Sequence, residues 1–266
     1  MVRDWASKLG VSPDELWKGH RGGRSDVAKV EAHLKTGSSL RGRLGPRGYS
    51  SGARFTAMNE PTKPADGERP LSSVHLRALL SPRHLYGRSE ILMRPSPVPP
   101  QPGIYGWYMR GLPVDVSGCH RHEELSLVYV GIAPKAPSLN RSPSQQNLRK
   151  RIRYHFRGNA EGSTLRLTLG VLLSEQLGIR LQRVGSGKRL TFTADGEKHL
   201  SSWMEQNAFV TWAVAERPWE LEAAAFPMWD LPLNLAGNSH HRHHAALKAA
   251  RDAARTWARM SPIWTR

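Results

Sequence analysis

A single cysteine, Cys119, stands in this chain of 266 residues. One thiol rules out an intrachain disulfide and any zinc site built on several cysteines, so a bound metal must rest on carboxylates or histidines. Acidic residues are scarce too: 22 Asp and Glu face 39 Lys and Arg, a formal charge of +17 and a pI near 10.7. A field of that sign attracts polyanions and repels cations. Nucleic acid heads the classes of partner, with an anionic membrane second. Long apolar runs are missing as well. No stretch approaches the roughly 20 residues that a helical span needs, and the opening "MVRDWASKLG" lacks the apolar core of a signal peptide. The expectation is a soluble, cytoplasmic protein with no membrane partner.

Apolar residues make up 39% and nine are Trp, enough to build a core. Pro, Gly, Ser and Arg crowd residues 36–69 without apolar periodicity, which predicts a linker or disordered stretch. A second punctuation, "RPSPVPPQPG", ends before Ile104, and Pro-rich spacers precede folded units. The reading is a basic extension over 1–95, partly helical and partly disordered and a candidate DNA-binding element, followed by a main domain over 96–266. The extension holds 17 Lys or Arg against 9 Asp or Glu, a net +8, leaving +9 on the rest. Within it, "DWASKLGVSPDELWKGH" reads as two short helices joined at Gly10, and "SSVHLRALLSPRHLYG" as a helix stopped at Pro82.

From Ile104 onward strands and helices alternate. "GIYGWYM" and "LSLVYVGIA" bracket a polar turn region, predicting an antiparallel hairpin. "SQQNLRKRIRYHFRG" is a helix with Leu148, Ile152 and Phe156 on one stripe. "STLRLTLGVLLSEQLG" is a second helix, capped at Ser163 or Thr164 and closed at Gly178. "KRLTFTA" reads as a short strand, "EKHLSSWMEQ" as a helix and "AFVTWAVAE" as a central strand. "PWELEAAAFPMW" starts a helix at Pro218, and an Ala-rich helix ends the chain. The fold expected is α/β, a mainly antiparallel sheet of at least three strands surrounded by helices.

Four of these pieces, in this order, are "GIY" at Gly103–Tyr105, "YVG" at Tyr129–Gly131, "LRKRIRYHF" at 148–156 and "ELEAAAFPMWDLPLN" at 220–234. Together they resemble the GIY-YIG nucleases over roughly residues 100–240. The resemblance implies hydrolysis of a phosphodiester by water, with a divalent ion, Mg²⁺ or Mn²⁺, opposite the nucleophile. It implies Tyr105 as the base or the group that orients the water, Tyr129 alongside it, and Arg151 on the phosphoryl oxygens. His155 would transfer a proton or bind phosphate, Glu222 would hold the metal, and Asn234 would tie the last loop to the site. DNA is the implied substrate and partner, and RNA stays open. Among biological settings, restriction or genome defence leads over repair and mobile elements.

Helical geometry supports part of this independently. At roughly 100° per residue, Arg151 and His155 share one edge of the Leu148, Ile152, Phe156 stripe, so Arg151 should be half-buried, as a phosphate clamp must be. Arg149, Arg153 and Arg157 line the other side, where they could follow a nucleic-acid backbone. Glu220 and Glu222 are about 200° apart on a helix, so only one can face the hairpin. Glu222 lies toward Phe226 and Trp229 and stands twelve residues before Asn234, a separation found in the family. The two tyrosines are 24 residues apart, longer than is common there, so the hairpin carries an insertion. "NSHHRHH" places His240 and His244 at a helical ligand spacing, but imidazoles near phosphate or at the surface are the preferred reading. "GSGKRL" is a basic turn without full phosphate-loop spacing. The rival class is a catalytically idle nucleic-acid-binding protein with the same fold.

Overall fold

A computed structural model describes residues 71–137 and 144–265, within a compact unit spanning Gly67–Arg266. The helix pair expected near residues 4–20 and the linker at 36–69 lie outside the described residues. The unit reaches upstream of Ser96 because the helix α1 (Leu71–Leu80) sinks Leu76 and Leu79 into the core. A short helix α2 (Arg88–Leu92) follows it.

The main sheet is antiparallel and four-stranded, in the order β2-β3-β1-β6. Its strands are β1 (Gly103–Met109), β2 (Arg121–His122), β3 (Leu125–Ala133) and β6 (Ala208–Val214). All seven residues of β1 are buried, which is why "GIYGWYM" shows no polar alternation: helices cover both faces of the sheet. On one face α3 (Leu148–Arg157), α4 (Thr164–Leu172) and α6 (Thr193–Asn207) enclose Trp107 with Leu148, Ile152, Phe156, Leu165, Leu169 and Met204. On the other, α1 and α7 (Pro218–Ala225) pack Leu79, Leu221 and Ala225 on Ile104, Tyr108 and Val130. Full burial of the α3 stripe stabilises by about 1.5–3 kcal/mol per side chain.

One expectation about strands is corrected and another is refined. The strand "AFVTWAV" is not central: β6 pairs in the main sheet with β1 alone, and its outer side meets Tyr86 through an isolated bridge at Val210. The "KRLTFTA" strand, β5 (Arg189–Thr191), pairs with β4 (Gln182–Val184) in a separate two-stranded sheet. Neither could be placed from its sequence, because strand order is a long-range property. The second predicted helix is interrupted at Leu173 and continues as α5 (Ser174–Leu177), ending at Gly178 in the left-handed conformation. The last helix, α8 (His244–Met260), packs on α4.

Candidate active site

In β1, Tyr105 lies opposite Gly131 of β3 and Trp212 of β6. A Cβ placed on Gly131 would sit 2.5 Å from the Tyr105 hydroxyl oxygen and 2.6 Å from Cζ. The phenol therefore occupies the space a side chain would need, and only glycine leaves it open. Gly103 has the matching role: an added Cβ would strike the Ala213 carbonyl oxygen and approach Leu148 Cδ1 to 2.7 Å. That close approach lets the first turn of α3 settle on the sheet. Asn147 caps the helix by accepting from the Lys150 N–H at 2.9 Å.

From α3, His155 reaches the tyrosine. It is fully buried, with Nε2 2.9 Å from the Tyr105 hydroxyl and Nδ1 2.8 Å from Ser163 Oγ. Ser163 also caps α4, accepting from the Arg166 N–H at 3.1 Å. Burial, with Arg151 and Arg166 nearby, holds the imidazole well below its usual range, so it is neutral. With both nitrogens engaged inside the core, the ring has none left for a phosphate. Of the two roles read from sequence, the geometry is compatible with proton transfer.

Burial also raises the Tyr105 phenol, with Tyr129 adding to the effect and Arg151 opposing it. Arg151 favours the phenolate, but desolvation outweighs the guanidinium. Tyr129 is half-buried, and its phenol is likewise raised by burial against the pull of Arg151 and nearby Thr164. Arg151 is half-buried, as its helical position requires, and donates from Nη1 to the Gly162 carbonyl at 3.2 Å. Its guanidinium faces both phenols.

The two candidate carboxylates separate cleanly. Glu220 is exposed and pairs with Arg217 at 2.7 Å. Glu222 is half-buried and pushed up to about 7 by burial, which Lys135 only partly offsets. Its charge acts on both Tyr105 and Tyr129. A hard oxygen donor, poorly compensated and beside two hydroxyls, fits Mg²⁺, which takes one or two carboxylates and completes its shell with water and phosphate. Among the described residues no group of three or more His, Cys, Asp or Glu could cage a metal ion by itself. His240 is exposed, and it is His241 that is engaged, bonded to Asp230, with Arg242 bridging Asp230 and Asp115 at 3.0 and 3.3 Å. The histidine run thereby stitches the hairpin insertion to the end of the domain.

Asn234 is buried and pins β3 from behind the site: its Oδ1 accepts from the Val130 N–H at 2.9 Å and its Nδ2 donates to the Val130 carbonyl at 2.8 Å. Val130 lies between Tyr129 and Gly131, so this clamp sets the strand that carries both. The arginine row needs correction. Arg149 donates to the Val98 carbonyl at 2.6 Å, and Arg153 to the Ile91 and Met93 carbonyls at 2.8 and 3.2 Å. They strap the end of α2 and the irregular 93–98 segment to α3, because carbonyls at a helix C-terminus or outside regular structure need donors. Arg157 alone of the three is exposed.

Sequence reasoning missed Ser163 as the partner of His155, and two buried arginines. Arg166 is fully buried and held by Glu197 at 2.6 Å. Its signal was a lone charge inside the apolar "TLRLTLGVLL". Arg251 is buried on α8, where it shares the helix face of Leu247 and Ala258, again a charge on an apolar stripe.

A family model described as GIY-YIG catalytic domain matches residues 103–253, 151 of the 266 residues. No curated protein and no solved structure matches the chain.

Proposed function

The chain belongs to the GIY-YIG catalytic-domain family, and on that premise we propose that it is a Mg²⁺-dependent endonuclease hydrolysing phosphodiester bonds in DNA. The observation that carries this reading is the Tyr105–His155 hydrogen bond of 2.9 Å, set beside Arg151 and the poorly compensated Glu222 carboxyl.

An isolated phenol with a raised pKa is a poor base at neutral pH. Here it has a neutral imidazole behind it. Tyr105 Oη takes a proton from the attacking water as its own proton passes to His155 Nε2. That transfer needs Nε2 unprotonated, which is the tautomer whose Nδ1–H donates to Ser163 Oγ. Burial keeps the His155 ring neutral before the step, and the same desolvation makes the imidazolium a short-lived species that gives its proton up readily. Tyr129, near Thr164, orients the water or a phosphate oxygen. Arg151 stabilises the negative charge that develops on the phosphoryl oxygens, where a preorganised guanidinium acts on the transition state more than on the ground state. Glu222 would hold Mg²⁺ or Mn²⁺, which when bound polarises the phosphate and stabilises the leaving oxygen. Exposed Arg157 extends the basic surface along the strand.

Restriction or genome defence is the setting we assign. The insertion between the tyrosine strands, tied to the domain through Asp115 and Arg242, is the candidate element for selecting the substrate in that setting. The test is cleavage of supercoiled plasmid and of labelled single-stranded DNA and RNA, with Mg²⁺ or EDTA, by wild type and Glu222→Ala. Metal-dependent cleavage abolished by Glu222→Ala with binding retained is the expected result. Binding without cleavage of any substrate would favour the idle binder.

A further inference from the structure

Two arginines are buried among the described residues, and they are treated in opposite ways. Arg166 is fully buried and fully served: Glu197 takes both its Nε and Nη2, at 2.9 and 2.6 Å, and the Glu197 carbonyl and Ser201 take further protons. That is what a structural buried guanidinium requires, since an uncompensated charge in a core is strongly destabilising. Arg251 is 8% exposed, yet its Nε has no hydrogen-bond partner, and among the described residues no carboxylate forms an ion pair with it. The adjacent carboxylate, Asp252, is taken by Lys248 at 2.9 Å and Arg255 at 3.3 Å. Arg255 adds like charge nearby, Asp252 opposes it, and the Tyr129 phenol lies within electrostatic reach of the guanidinium.

Its position in the fold points the same way. Arg251 sits on α8, which packs on α4, the helix opened by Ser163 and Thr164. Around Tyr129 the structure thus gathers Arg151 from α3, Thr164 from α4 and Arg251 from α8, three elements far apart in sequence. A nearly buried guanidinium whose Nε is unpartnered, and whose neighbouring carboxylate is bonded to two other cations, has capacity left for an anion that arrives with the substrate.

We propose that Arg251 is a second phosphate-binding residue of the site, holding a nucleic-acid phosphate on the Tyr129 side of the cleft while Arg151 serves the Tyr105 side. This rests on the nuclease reading for its ligand, but its test does not depend on turnover. Binding of a fluorescently labelled 30-base-pair DNA duplex is followed by anisotropy in EDTA over a range of salt for wild type, Arg251→Met and Arg251→Lys. Thermal unfolding of each and plasmid cleavage in Mg²⁺ are measured in parallel.

Loss of one charged contact is expected to weaken binding of the duplex by Arg251→Met about tenfold or more. The slope of log affinity against log salt should fall by about 0.9, one phosphate's worth of counterions. Arg251→Lys should recover most of the slope, and Arg251→Met should unfold at the wild-type temperature or above, since it removes an unpaired buried charge. An unchanged slope in Arg251→Met, or a fall in unfolding temperature with the slope intact, would make Arg251 a packing residue and overturn the inference while leaving the nuclease reading untouched. A wild type that binds with an Arg251-dependent slope yet never cleaves would sink the nuclease reading and sustain the inference. Failure of the wild type to bind the duplex would overturn both.

Discussion

Replacing Gly131 by alanine tests the arrangement of the two strands most directly. The added methyl would lie 2.5 Å from the Tyr105 hydroxyl oxygen, 2.6 Å from Cζ and 2.9 Å from Cε2, where ordinary carbon contacts begin near about 3.5 Å. The ring must therefore retreat by roughly 1 Å. It cannot do so cheaply, because Tyr105 is 1% exposed and its hydroxyl is bound to His155. Overpacking of this kind costs about 1–3 kcal/mol, offset by the roughly 0.5–1 kcal/mol that alanine gains over glycine inside a strand. A net loss of about 1–2 kcal/mol is expected in urea unfolding. Plasmid cleavage should fall about 100-fold, because a misplacement of that size disrupts the reacting geometry. In a Tyr105→Ala background the same substitution should become neutral or stabilising, giving a coupling energy of about 1–2 kcal/mol. Equal effects of Gly131→Ala in both backgrounds would refute the claim that this glycine exists to seat the phenol.

Three further outcomes are expected. In EDTA, Glu222→Gln should stabilise the protein at pH 8 and lose that advantage as pH falls toward 4.5. Burial raises the folded carboxyl from 4.5 to about 7 against the pull of Lys135, so the folded state holds the proton more tightly and stability declines as pH rises between those values. The shift corresponds to roughly 3 kcal/mol at most, and pH-independent unfolding of the wild type relative to the variant would refute it. Asn234→Ala leaves the Val130 N–H and carbonyl without their side-chain partner in a buried strand, which should cost about 2–4 kcal/mol in urea unfolding. Arg149→Ala and Arg153→Ala should each lower the unfolding midpoint, corresponding to about 1–2 kcal/mol, with the salt dependence of DNA binding unchanged. A reduced salt slope would instead return them to the nucleic-acid surface.

Much of the site was legible because its chemistry sits in short, local patterns. Helical periodicity alone put Arg151 at the margin of the α3 stripe, and its half-burial follows from that geometry. The same arithmetic separated Glu220 from Glu222 before any packing was known, since residues two apart on a helix face opposite ways. Periodicity said nothing of whether Arg149 and Arg153 were free, because their partners are carbonyls at residues 91, 93 and 98, donated by a segment with no pattern of its own. Ser163 was seen as a cap, and its second bond to His155 was invisible for the same reason.

By itself, the sequence determined the polyanionic class of partner, the exclusion of an intrachain disulfide and of a multi-cysteine zinc site, the main helices and the two glycine-flanked tyrosine strands, all properties of composition or of spacing within about one helical turn or strand. Tertiary structure alone decided that β6 is an edge strand, that burial outweighs arginine at the Tyr105 phenol, and that Arg166 is ion-paired with a carboxylate while Arg251, among the described residues, is left with an unpartnered Nε. Strand order, desolvation and ion pairing depend on which distant segments meet, and that is settled only when the chain closes on itself.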